Sequence, residues 1–207
     1  MQINNVNVKN EGYVYCRSSF YSAQDSLSGY SCYTFSTGIN KLFGEIDSGN
    51  WAVSYLLSMY KYRPEDFILF ELPSASVNKK LISLNELSEF SCYMDKIDPL
   101  FSTCNSVKRL ITQGLESSKS NYLCDDVKNL FHIDSERFER PLTEVGNEIF
   151  KAMAAIGFSH SKEMFCFPWL SEKRFESYHN NLTAVLSILE NLKKIIILPV
   201  GMKMFKI

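Results

Sequence analysis

The spacing of apolar residues changes along this chain in a fixed order, and that order restricts the folds open to it. Tyr, Phe, Ser and Cys alternate weakly from Tyr13 to Ser36, which predicts short strands joined by polar turns. Residues 38–49 read as a strand and then a loop. From Asn50 to Lys61, apolar residues at 53, 56, 57 and 60 give the period of an amphipathic helix, which Pro64 closes. Strands are expected at Phe67–Leu72 and Lys80–Leu84. Helices are expected over 105–115 and 122–132, parted by a polar SSKSN turn, and over Thr143–Phe158. Met164–Phe167 is an unbroken apolar run of the kind found in strands covered on both faces. A long helical pattern, Glu172–Lys193, then leads into the strand KKIIILPV. Strand, loop, helix, helical insertion, strand, helix, strand is the order of an α/β protein with a helical lobe.

Charge and cysteine usage narrow the class of protein further. Twenty-two basic and 23 acidic side chains leave a formal charge of −1, so no global field favours nucleic acid or an anionic membrane. The amino-terminal stretch lacks the basic and apolar regions of a secretory signal, and no apolar run approaches the ~18 residues of a membrane span. The six cysteines form no C-x-x-C pair and do not cluster with the three histidines. A zinc site is therefore not expected, and buried reduced thiols in a cytoplasmic protein are. One domain of 207 residues is expected, with a core of about 1–100 and 160–207 and a helical lobe of about 101–159. Glycine is scarce: nine residues, about 4% against a usual ~7%, so few places remain where backbone can wrap a phosphate.

Two of those glycines carry the chemistry. Gly44-Glu45-Ile46-Asp47-Ser48-Gly49, followed by Asn50 and Trp51, has the G-x-x-x-x-G spacing of a phosphate-binding loop set between strand and helix. The stretch Thr34–Tyr60 resembles the Walker A region of an ATP-binding cassette (ABC) transporter ATPase. Cys92–Phe101 looks like that family's Q-loop strand and turn. Leu142-Thr143-Glu144-Val145-Gly146-Asn147-Glu148, leading into an apolar helix, is similar to its signature motif. Met164–Phe167 resembles the Walker B strand, and Lys194–Val200 the strand before the switch histidine. The likeness spans roughly residues 30 to 200, with its elements in the family's order. It implies a P-loop NTPase-like core with a helical subdomain.

The residues that would work in such an ATPase are absent. The resemblance places Asn50 and Trp51 where a lysine binds the terminal phosphates and Ser or Thr holds Mg²⁺. Pro168 and Trp169 stand at the Walker B end, Lys96 at the Q-loop glutamine, and Val200 and Gly201 at the switch histidine. Of the signature glycines only Gly146 survives. Each lost lysine hydrogen bond removes roughly 1.5–3 kcal/mol. Glu45 and Asp47 add negative charge in the loop, at about 2–3 kcal/mol per phosphate–carboxylate pair for ~6 Å and an effective dielectric near 20. The helix dipole returns ~2 kcal/mol at most. The expectation is no cofactor, weak or no binding of Mg-ATP, and no hydrolysis.

Three readings follow. The resemblance favours a non-hydrolysing interaction or regulatory subunit of a membrane transport complex. Its partners would be a membrane permease, an active ABC ATPase subunit or a second copy. A divergent but active hydrolase would recruit Glu45, Asp47 or Glu148. An aromatic-pocket binding module would use Trp51 as a stacking platform together with Trp169, whereas Trp51 as a helix-start residue packed on the core is the plainer reading.

Overall fold

A computed structural model describes residues 3–18, 23–45, 48–101, 104–170 and 172–201. The first strands are β1 (Asn5–Asn10), β2 (Tyr13–Ser18), β3 (Ala23–Ser28), β4 (Ser31–Ser36) and β5 (Gly38–Phe43), followed by helix α1 (Asn50–Met59). Then come β6 (Phe67–Leu69), β7 (Ser74–Val77), β8 (Lys80–Ile82), α2 (Leu84–Phe90) and β9 (Ser91–Tyr93). The helices α3 (Val107–Ser118), α4 (Cys124–Leu130), α5 (Ser135–Phe138) and α6 (Ile149–Ser159) form the insertion. The chain closes with β10 (Met164–Cys166), α7 (Glu172–Asn191) and β11 (Ile195–Val200).

The central sheet is parallel, in the order β5-β11-β10-β9, with Ile195 opposite Gly38 on one side and Met164 on the other. All six residues of β11 are buried, as the run IIILPV demands of a strand covered on both faces. Antiparallel β4-β1-β7-β8 and β3-β2-β6 form two further sheets. Two apolar clusters result. One joins α3, α6 and α7 to the face of the parallel sheet carrying Phe165 and Ile196. The other joins α1 and the antiparallel strands to the face carrying Met164, Cys166, Ile195 and Ile197. Successive strand side chains point to opposite faces, so the parity of β10 and β11 assigns each residue its cluster.

Several elements depart from the sequence-based expectations. Every residue of α1 is buried, not one stripe of it, because the helix lies between the parallel sheet and the antiparallel strands. Residue 84 does not end a strand but starts α2. Ser83 accepts from the Glu86 N–H at 3.1 Å and Glu86 accepts from the Ser83 N–H at 2.8 Å, a complete capping box. The helix expected from Thr143, α6, starts at Ile149, since two short 3₁₀ turns, Leu142–Glu144 and Gly146–Glu148, come first. Cys16, Cys92 and Cys166 are buried thiols, pushed up in pKa chiefly by that burial, and Cys32 and Cys104 are exposed. Among the described residues no helix is long and apolar enough to cross a membrane.

Candidate functional site

The carboxyl ends of parallel strands are where open α/β sheets place ligands. Here that edge carries the loop after β5, the segment Phe167–Leu170 after β10, and Gly201 after β11. The Gly44 N–H bonds to the carbonyl of Val200 at 3.0 Å, so the loop starts tied to the neighbouring strand. Gly49 ends it with φ +85°, a left-handed conformation that leads directly into α1. The two glycines therefore bracket a strand-to-helix loop, as their spacing implied. Asp47 lies outside the described residues.

The loop is closed by its own chain. The Asn50 amide donates to Ser48 Oγ at 2.9 Å, and Ser48 Oγ donates to the carbonyl of Glu45 at 2.5 Å. A Cβ on Gly44 would stand 2.2 Å from Ser48 Oγ and 2.5 Å from Asn50 Nδ2. The side chain at the lysine position is thus folded back over the loop instead of extended. From the β10 side, the Trp169 indole N–H donates to the carbonyl of Gly44 at 3.3 Å. Pro168 is buried beside it, and the Phe167 carbonyl accepts from Ser54 Oγ of α1 at 2.6 Å.

The backbone donors at the start of α1 are engaged as well. Asp25, on β3 and only 3% exposed, accepts from the Gly49 N–H at 2.8 Å and the Ser26 N–H at 2.9 Å through Oδ1. Through Oδ2 it accepts from the Ala52 N–H at 3.0 Å. Burial pushes its carboxyl above the usual range, while the amides of Ala52, Gly49, Ser26 and Trp51 pull it back down. Glu45, by contrast, is exposed, and the carboxylate that accepts from these donors is Asp25. Asp25 went unnoticed because it lies 24 residues before Gly49, in another sheet. One signal did exist: Asp25 and Leu27 share the inward parity of β3, and an acid at an inward position requires donors.

Trp51 is 3% exposed, which agrees with its plainer reading as a helix-start residue packed on the core and not with the stacking platform. Its indole N–H donates to the Tyr93 hydroxyl at 2.8 Å, and its ring stacks on Tyr55 at 5.2 Å. With Trp51 sealed in the core, the aromatic pocket imagined around it and Trp169 loses one of its two walls.

The signature-like segment lies on the insertion. Leu142 is buried, Thr143, Gly146 and Asn147 are exposed, and Gly146 has φ +62°. The Glu148 carboxylate accepts from the Asp134 N–H at 3.1 Å and lies 3.4 Å from Lys151 Nζ and 3.8 Å from Arg137. Arg137 also donates to Asn147 Oδ1 at 2.5 Å. Glu148 thereby links the start of α5 to the first turn of α6. Among the described residues no group of His, Cys, Asp or Glu side chains is placed to hold a metal ion.

Beyond β9, Lys96 is exposed, whereas Asp98 is buried and accepts from the N–H groups of Tyr93 at 2.6 Å and Leu100 at 2.9 Å. Burial raises its pKa to about 6, against the pull of those two amides and of Lys162. The folded chain then holds this proton up to about pH 6, whereas an unfolded Asp releases it near 3.9. The folded state binds more protons between those values, so stability rises as pH falls from 7 toward 4. The gain is at most about 3 kcal/mol, from about two units at 1.36 kcal/mol each. Urea unfolding at stepped pH should show that rise. It should flatten in Asp98→Asn, and an unchanged slope in that variant would contradict the assignment.

A parallel β5-β11-β10-β9 sheet with its Gly44–Gly49 loop feeding α1, an antiparallel layer and a helical insertion is the fold of an ABC ATPase domain. Three solved structures share it. An ADP-conformation ATP-binding cassette of an ABC transporter matches with a TM-score of 0.59 and 10% identity, over 97% of this chain and 81% of that one. An ABC transporter ATP-binding protein of Pyrococcus furiosus matches at 0.59 and 11%, over 94% and 90%. An ATP-bound bacterial Atm1-family ABC exporter matches at 0.53 and 10%, over 97% of this chain and 35% of the exporter. No family model and no curated protein matches the sequence. At these identities the likeness is one of fold.

At the loop, Asn50 and Trp51 follow Gly49, the Asn50 side chain donates to Ser48 Oγ, and Asp25 accepts from the N–H groups of Gly49 and Ala52.

Proposed function

We propose that this chain is a non-hydrolysing ABC-ATPase-like subunit that works through protein contacts in a membrane transport complex. The observation that carries this reading is the pairing of an ABC-cassette-like fold with Ser48 and Asn50 side chains that bond within the loop. Phosphoryl transfer depends on positioned cations and donors around the phosphates. Here Asn50 and Trp51 replace the cationic and metal-holding groups, and Pro168 and Trp169 replace the carboxylates at the end of β10. A fold that keeps its insertion and its sheet order without these groups retains surfaces rather than chemistry. The partners this suggests are a membrane permease, an active ABC ATPase subunit or a second copy, with the chain held at the membrane through one of them.

The test has two arms. Calorimetric titration of the purified chain with Mg-ATP is expected to give no binding heat, and phosphate release no rate above buffer. Co-purification from membranes is expected to recover a multi-span permease or an intact cassette ATPase, or else to show self-association. Turnover that is lost on changing Asn50 would overturn the reading.

A further inference from the structure

Several features could carry a second role. Ile68, Phe70 and Leu72 form an exposed apolar stripe beside edge strand β6, but nothing in the structure shows what would cover it. The cleft lined by Asp134, Glu136, Arg137, Arg140, Asn147 and Glu148 is polar, yet its charged groups pair mainly with one another. Lys162, buried and donating to the carbonyl of Glu89 at 2.5 Å, is engaged by the backbone. The contact between β3 and the start of α1 goes further than any of these.

We propose that the Asp25 carboxylate is an intramolecular ligand of the start of α1, holding the Gly49 and Ala52 amides that an oxyanion would use and so excluding phosphates by occupancy. A helix start following a glycine loop favours an anion because its first N–H groups have no intrahelical partner. In this chain two of those groups, on Gly49 and Ala52, converge on one buried carboxylate at 2.8 and 3.0 Å. A carboxylate offers two acceptor oxygens and one negative charge, the same donor-facing chemistry as an edge of a phosphate. Gly49 is pressed against the strand that supplies the acid: a Cβ there would stand 2.9 Å from the Ser26 carbonyl. The loop and β3 are therefore in direct contact at Gly49, and those two amides already donate to Asp25. The absent lysine weakens phosphate binding, and Asp25 removes the place for it.

This inference deepens the non-hydrolysing reading and rests on it, and the test separates the two. Asp25→Gly vacates the acceptor position, whereas Asp25→Asn keeps the shape and one acceptor oxygen without the charge. Asp25→Gly should melt roughly 4–12 °C below wild type, given 2–4 °C for each kcal/mol in a chain of this size. Formate, and more weakly inorganic phosphate, should raise its melting point saturably and move the amide NMR peaks of Gly49 and Ala52. Chloride at matched ionic strength should not, and wild type should respond to none of them. If Asp25→Gly does not fold, Asp25→Asn decides: its Gly49 and Ala52 amide protons should move upfield as the charged acceptor is lost. An Asp25→Gly protein that responds to ionic strength alone, or unmoved amides in Asp25→Asn, would overturn the latch and leave the non-hydrolysing reading intact. Tight Mg-ATP binding by wild type would overturn both.

Discussion

Trp51→Ala is expected to cost roughly 3–5 kcal/mol of folding stability, the range for truncating a buried large aromatic side chain. The indole is 3% exposed, stacks on Tyr55 with ring planes 22° apart, and donates to the Tyr93 hydroxyl. Tyr55 in turn packs edge-on against Tyr93 at 5.1 Å and donates to Asp66 at 2.5 Å, so the cavity would open beside a bonded aromatic group that cannot collapse freely. Domains of this kind are stable by about 5–15 kcal/mol, so the loss is a large fraction of the total. Trp51→Phe keeps most of the ring burial and loses the N–H donor, at about 0.5–1.5 kcal/mol. Combining it with Tyr93→Phe should cost less than the sum of the singles, because both remove one bond. Urea midpoints for wild type and the four variants give the answer. A Trp51→Ala protein within about 1 kcal/mol of wild type would refute the packed assignment, and would restore the case for Trp51 as a ligand platform.

The contrast between Trp51 and Asp25 shows what the sequence discloses. Local patterns were readable: Met164–Cys166 and Ile195–Val200 are buried strands, and Gly44 and Gly49 bracket a strand-to-helix loop. The order of elements sufficed for the α/β class and for the likeness to ABC cassettes. The departures have separate causes. Apolar residues at 53, 56, 57 and 60 suggested one buried stripe on α1, because period alone cannot tell that a second layer covers the far side. Ser83 and Glu86 spell the capping box of α2, but the strand pattern of Lys80–Leu84 overlaps the first of them and masks the helix start. The site itself is made by contacts distant along the chain. Asp25 meets Gly49 across 24 residues, Trp51 meets Tyr93 across 42, and Trp169 meets Gly44 across 125. No spacing rule reaches that far, so the absence of a lysine after Gly49 could be read and the carboxylate at the helix start could not.

Gly49→Ala is the second large effect, and two other glycines make it separable into parts. At φ +85° an alanine pays about 1–2 kcal/mol for the left-handed backbone. Its Cβ would also stand 2.9 Å from the Ser26 carbonyl and 3.1 Å from Leu27 Cδ1. The first of these is backbone in β3 and cannot rotate away, so overpacking adds about 1–3 kcal/mol. Gly146 at φ +62° and Gly29 at φ +74° have nothing within 4 Å of a built Cβ, so alanine there reports the backbone cost alone. Subtracting the Gly146→Ala value from the Gly49→Ala value therefore isolates the pressure of the loop on β3. Gly49→Asn tightens the comparison, since Asn tolerates the left-handed region but brings the same Cβ. It should recover part of the backbone cost and none of the contact cost. If Gly49→Ala proves no worse than Gly146→Ala in urea unfolding, β3 does not press on the loop. The distance between Asp25 and the helix start would then be longer than 2.8 Å, and the intramolecular ligand would lose its geometric basis.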